Sequence, residues 1–160
     1  MTKEEQLKIF SAYLPYGLQL EIYEEVEIDS LDSIMPGIVT LAGITNETSF
    51  MPDALLYTRQ DDEGDGYIQT EHVKPILYPL DMLTQEIEHE GETIIPVEFV
   101  FGKNHNIREV KDVYIINKNG YSFRATSLSY KQVQKLLELR FNIFELPEDQ
   151  FINKATLKTK

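Results

Sequence analysis

The densest chemistry in this 160-residue chain lies in the stretch DDEGDGYIQTEH, residues 61–72. Asp61, Glu63 and Asp65 fall at alternate positions and are followed by Gly66 and Ile68, a spacing that can turn hard oxygens toward one cation around a sharp glycine turn. Counted from Asp61, this is the opening of the twelve-residue calcium loop of helix–loop–helix sensors. Position twelve of that loop needs a bidentate glutamate. Here it is His72, whose imidazole suits a hard cation poorly, and Glu71 is one place early. The flanks disagree as well, because Pro52 restricts the entering segment and Pro75 and Pro79 the leaving one, whereas a calcium loop needs a helix on each side. A solvated acidic hairpin loop follows, with Gly64 and Gly66 supplying positive φ angles. The alternative is weak cation binding by Asp61, Glu63 and Asp65 without an EF-hand, in a calcium- or magnesium-responsive module.

The other chemistry-bearing residues are scattered. His72, His89 and His105 are isolated, none at the two-histidine helical spacing of a metalloprotease, and surface histidines are expected. Glu86, Glu88, Glu90 and Glu92 recur every second residue and diverge around a helix, as a solvated helix end would. Ser129 stands in no nucleophile elbow and reads as a helix cap. There is no phosphate-cradling glycine loop, so no nucleotide cofactor is expected. Lys118, Tyr121, Phe123 and Arg124 would make a stacking surface for single-stranded nucleic acid, against which ordinary sheet packing is the plainer reading. No catalytic residue is assigned. A hydrolase assembled from scattered carboxylates with His72 or His89 remains the enzymatic alternative.

Composition narrows the classes. Cysteine is absent, which removes disulfides, thiolate nucleophiles and cysteine-held metal sites. Net charge is −12, with 21 acidic and 4 basic side chains in residues 1–100 against 6 acidic and 11 basic in residues 101–160. The early part would repel phosphates, so direct nucleic-acid binding there is disfavoured and a basic protein partner fits better. No apolar stretch approaches the ~20 residues that span a bilayer. MTKEEQLKIF lacks the basic start and apolar run of a secretory signal, so no membrane association and a cytoplasmic placement are expected.

The elements that must position these residues are legible in part. Thr2 and Glu5 form a capping-box pattern ahead of Leu7, Phe10 and Leu14, and Pro15 stops the helix. From Leu18 to Ile28 the period changes to two, with only Glu24 breaking the apolar face. Strands are expected at 38–44, 53–59 and 67–73, and Pro75 with Pro79 forbids a long helix over 73–79. Asp81 would cap a helix carrying Leu83 and Ile87 that ends at Gly91. Asn119-Gly120 between two β-rich runs predicts a hairpin. Ser129 and Gln132 form a second capping box, opening a helix with Val133, Leu136, Leu137, Phe141 and Phe144 on one stripe and Pro147 at its end. The tail FINKATLKTK has little periodicity and reads as loosely attached.

The segments LPYGLQLEIY, HVKPILYPLDMLTQEIEHEGETIIPVE and VQKLLELRFNIFEL, in this order, resemble small proteins encoded by phages and mobile elements of Bacteroidales. The pattern K-P-I-L-x-P-L-x-x-L-T-x-E-I at 74–87 is its most specific part, and the match covers about two thirds of the chain. The resemblance implies phage or prophage biology, a tight connection over Lys74 to Leu80 and a late amphipathic helix over Val133 to Phe144. It brings no activity, ligand or catalytic residue with it.

These readings combine into an α+β fold in one domain over 1–150, followed by the tail 151–160. A mainly antiparallel sheet of about five or six strands is expected, covered by helices near 2–14, 81–89 and 129–144. The function expected is that of a non-enzymatic interaction protein whose acidic early face docks a protein partner.

Overall fold

Alternation between buried and open residues, begun at Leu18, decides the central architecture. A computed structural model of the chain describes residues 2–27, 33–45, 54–59, 64–103, 105–109, 114–117, 122–123 and 128–157. In chain order its elements are α1 (Lys3–Tyr13), β1 (Gln19–Ile22), β2 (Val26–Glu27), β3 (Ser33–Ile34), β4 (Gly37–Thr45), β5 (Ala54–Arg59), β6 (Asp65–Gln69), β7 (Val73–Leu77), β8 (Ile87–His89), β9 (Glu92–Ile94), α2 (Pro96–Phe101), β10 (His105–Glu109), β11 (Tyr114–Asn117), β12 (Ser122–Phe123), α3 (Tyr130–Glu138) and β13 (Ile152–Asn153). The fold is α+β, with a six-stranded, mostly antiparallel sheet in the order β13-β7-β1-β4-β5-β6 and three α-helices. The chain divides into two compact units: residues 1–76 with 147–152, and residues 77–146 with 153–160. Among the described residues no helix is long and apolar enough to cross a membrane.

The first unit is built on the sheet. Cross-strand partners share a face, and the pairs Leu20↔Val39, Leu41↔Tyr57 and Leu55↔Ile68 put buried side chains on one side. On the other side stand Glu21↔Ile38, Thr40↔Thr58, Thr58↔Asp65 and Leu56↔Tyr67, which are half-buried or exposed. A bulge between Leu41 and Gly43 shifts the register by one residue, and the residues of β4 beyond it are half-buried on both faces. Helix α1 packs Ile9, Phe10 and Tyr13 inward behind its capping box, in which Thr2 Oγ1 accepts from Glu5 N at 3.2 Å and Glu5 Oε2 accepts from Thr2 N at 2.7 Å.

Two strand expectations are corrected here. The expected strand at 67–73 is instead β6, a 3-10 turn over Thr70–His72, and β7, because buried Thr70 turns inward to donate to Gln6 Oε1 at 2.7 Å. Lys74 to Leu80 is no tight connection. Its first half is β7, with Pro75 opposite Leu20, and the neighbour beyond is only the two-residue β13, so little of the ladder is disturbed by a missing donor.

The second unit packs Tyr78, Leu83, Ile87, Val97, Val100, Phe101, Leu136, Leu139 and Phe141 into one core. The helix expected over 81–89 is a 3-10 turn over Leu80–Thr84 followed by β8. Extended Pro79 sits at the N-cap in place of Asp81, and Leu83 and Ile87 reach the core without helical continuity. His89 pairs with Glu92, leaving Glu90 (φ 52°) and Gly91 (φ 80°) as a two-residue turn with both central residues left-handed. Glu88, Glu90 and Glu92 therefore belong to a hairpin and not to a helix end. The apolar run 94–101 contains α2, with Pro96 at its first turn and Gly102 at its C-cap.

Helix α3 starts as expected, with Ser129 Oγ accepting from Gln132 N at 3.4 Å and Gln132 Oε1 accepting from Ser129 N at 2.9 Å. It stops at Glu138, well before Pro147. Arg140 takes φ 62°, its N–H donates to Leu137 O at 2.9 Å and Phe141 N donates to Leu136 O at 3.0 Å, the two bonds of a Schellman cap. Phe141 is buried beyond the helix, whereas Phe144 is exposed. β11 and β12 pair antiparallel through Ile115↔Phe123 and Ile116↔Ser122, while Asn119 and Gly120 lie outside the described residues. The segment expected to be loose carries buried Phe151, strand β13 and a 3-10 turn over Lys154–Thr156 capped by Asn153.

Candidate functional site

Asp61 and Glu63 lie outside the described residues, and Asp65 is the exposed first residue of β6, paired with Thr58. Among the described residues no group of three histidine, aspartate or glutamate side chains is placed to hold a metal ion. The two glycines of this stretch do different work. Gly64 takes φ 87°, as a left-handed turn requires. Gly66 does not; a Cβ there would meet the Tyr57 hydroxyl at 2.5 Å, so the position is small because an aromatic ring lies against it.

The polar cluster of the first unit forms around His72. Glu24, the residue that breaks the apolar face, sits in the bend after β1, and its Oε1 lies 2.9 Å from His72 Nδ1. Glu71 Oε1 lies 4.0 Å from His72 Nε2. The Tyr23 hydroxyl donates to the Glu71 carbonyl, and Lys74 Nζ stands 5.3 Å from the Tyr23 ring centre. Burial first, and then the Glu24 and Glu71 carboxylates, push the Tyr23 phenol up from its ordinary range. His72 is half-buried, and both of its ring nitrogens face carboxylates. Nδ1 is engaged by Glu24 at hydrogen-bond distance, whereas 4.0 Å from Nε2 to Glu71 is too long for a hydrogen bond, so the ring is oriented through one nitrogen.

In the second unit His89 is also half-buried, with Nε2 3.7 Å from Glu138 Oε1 and its ring edge-on to Phe99 at 5.9 Å. Lys135 donates to the Phe99 carbonyl and lies 4.7 Å from the Phe99 ring centre. The side chain of His105, and the surface expected from Lys118, Tyr121, Phe123 and Arg124, lie outside what is described.

A second constellation in this unit surrounds Tyr78, and no sequence motif marks it. Tyr78 N donates to Arg140 O at 2.8 Å and Asn142 N donates to Tyr78 O at 2.8 Å, so the backbone on both sides of Phe141 grips this one residue. The Phe141 ring is tilted against Tyr78 at 5.6 Å between centres. Buried Asn142 holds the following loop by donating to Leu146 O and accepting from Leu146 N, both at 2.9 Å. Lys154 opens the 3-10 turn whose N-cap is Asn153, and its Nζ lies 4.8 Å from the Tyr78 ring centre. Burial, reinforced by the charge of Arg140, lowers the Lys154 ammonium to about 8. Burial likewise pushes the Arg140 guanidinium down, and pushes the Tyr78 phenol up. The sequence held one local signal here, Asn153 directly before Lys154, whereas the helix end at Arg140 is not visible in it.

Comparison with protein-family models, with curated proteins and with solved structures finds no match for this chain.

Proposed function

We propose that this chain is a non-enzymatic interaction protein of phage or prophage type that docks a basic protein partner through the acidic sheet face of its first unit. The observation that carries this reading is the make-up of that face. Exposed Ile38 and Tyr67 share it with Glu21 and Asp65, and exposed Glu25 and Glu27 follow β1. Apolar anchors among charges are the anatomy of a non-obligate interface, and although Lys74 stands opposite Glu21 on this face, the excess of acidic charge steers a partner of the opposite sign. The first unit carries 17 acidic and 4 basic side chains, which favours a basic partner over nucleic acid itself. One form of this activity is an inhibitor that mimics nucleic-acid charge and occupies a nucleic-acid-binding protein in the cytoplasm of the host.

The test is affinity capture from host lysate at low salt, comparing the native chain with the variant Glu25→Gln, Glu27→Gln, Asp65→Asn. The expected result is a basic protein retained by the native chain, released by rising salt and held less well by the variant. Retention of nothing, or of the same proteins by both chains, overturns the proposal.

A further inference from the structure

We propose that the open edge of β6 takes up, as a further antiparallel strand, an extended segment of a partner protein in which lysine or arginine alternates with β-branched apolar residues. Such pairing rests on the acidic docking face proposed above and gives that face a backbone register and an occupant.

Among the described residues β6 pairs with β5 alone and ends the six-stranded sheet, whereas the opposite edge is the two-residue β13. Arg59 N donates to Gly64 O at 3.3 Å, which makes Arg59↔Gly64 a hydrogen-bonded pair. In an antiparallel ladder such pairs alternate with pairs whose backbone groups point away from each other. Along the unbroken register that follows, Tyr57↔Gly66 and Leu55↔Ile68 are the bonded pairs, so the N–H and C=O groups of Asp65, Tyr67 and Gln69 point outward from the sheet. Such a row is a template for another strand, and proteins commonly blunt it with proline, lysine, a bulge or a very short edge. β6 runs for five residues without a proline, a lysine or a bulge.

Charge and face select the occupant. Asp65 and Tyr67 are exposed on the outer face, Glu71 is exposed just past the strand, and no basic side chain lies on β6. In antiparallel register the residues opposite Asp65, Tyr67 and Gln69 share their face, so a lysine or arginine there meets the Asp65 carboxylate and the Tyr67 ring. The residues between them turn to the inner face, where Tyr57 and Ile68 are buried, and β-branched apolar side chains suit that side. A second copy of this chain is a poorer occupant, because it would set a first unit of charge −13 against another of −13.

The experiment uses the full chain and needs no substitution. The probe is a synthetic peptide alternating lysine and valine, in three forms of equal charge: unmodified, N-methylated at the backbone nitrogens of its lysines, and N-methylated at those of its valines. With lysines opposite Asp65, Tyr67 and Gln69, the lysine N–H groups point toward β6 and the valine N–H groups away from it. Methylation at lysine should therefore weaken binding at low salt by at least about tenfold, and methylation at valine far less. The unmodified peptide should also slow amide hydrogen exchange, read by NMR, at Asp65, Tyr67 and Gln69. Equal binding by the two methylated forms, or no binding by any form, overturns strand addition, while the docking face itself stands or falls with the lysate capture. Slower exchange at the same three amides as the chain alone is concentrated assigns the edge to a second copy and overturns the basic strand.

Discussion

The first unit carries a formal charge of −13 and the second +1, yet among the described residues the group displaced furthest from its ordinary protonation range, Lys154, is in the second. In the first unit Glu25, Glu27, Asp65 and Glu71 stand in water, where unit charges 4 Å apart interact by only about 1 kcal/mol and salt screens them beyond ~8 Å. In the second, Lys154 lies over one buried tyrosine, and burial, ahead of the charge of Arg140, lowers its ammonium. A highly charged surface is thus suited to long-range attraction of a partner, and a nearly neutral unit can hold the group that burial shifts furthest.

The largest expected effect probes the two cores. Phe141→Ala removes a fully buried ring from the second unit and should cost about 3–5 kcal/mol in denaturant unfolding, whereas Leu20→Ala in the sheet should cost about 2–5 kcal/mol. A loss below about 1 kcal/mol at Phe141 would mean that the grip on Tyr78 does not depend on that packing.

Next comes a pair of backbone positions that contrast in sense. Gly66→Ala drives a methyl into the Tyr57 ring and should destabilise by about 1–3 kcal/mol. Arg140→Gly relieves a left-handed residue and should stabilise by about 1 kcal/mol. It should also return Lys154 toward the ordinary lysine range, readable as a later titration of its ammonium by NMR. Destabilisation by Arg140→Gly would show that the guanidinium supports the fold by more than its backbone costs.

The pH dependence of stability separates the units further. Below pH 8 the folded and unfolded chains both hold the Lys154 proton, so the cost of its buried charge is constant. Between about 8 and 10.5 the unfolded chain keeps a proton that the folded chain has shed, so stability should climb with pH. After allowance for partial exposure, the climb should be about 1–2 kcal/mol. Tyr78 opposes it only as pH passes its ordinary 10.0, because its folded phenol is raised. Lys154→Met should abolish the climb and raise stability at pH 7 by a similar amount; an unchanged pH profile in that variant would assign the slope elsewhere.

The smallest expected effect belongs to the acidic loop. Millimolar calcium or magnesium should leave the melting temperature where EDTA leaves it, as for a solvated loop. A calcium-specific rise that Asp61→Asn with Asp65→Asn removes would instead make the loop an ion site.

Much of the architecture is local and was therefore legible. Capping boxes at Thr2 and Ser129 satisfy helix N–H groups within four residues, and alternation at Leu20 and Ile22 needs only the pleat of a strand. Glycine's freedom at Gly64 is equally local. Where one apolar spacing fits two structures, the sequence was ambiguous: Leu83 and Ile87 are a helical pair on paper and a 3-10 turn plus a strand in the fold. The same limit hid the end of α3, since Phe141 stays buried whether or not the helix continues.

Sequence alone determined the class, the capped helix starts, most strands of the sheet and the segregation of charge, because each depends on neighbours within a few residues or on counting. Tertiary structure decided that Glu24 meets His72 across 48 positions, that Gly66 faces Tyr57, and that Arg140 and Lys154 share Tyr78. Those pairings depend on which residues lose water together, and desolvation is a property of the packed chain that no spacing along it records.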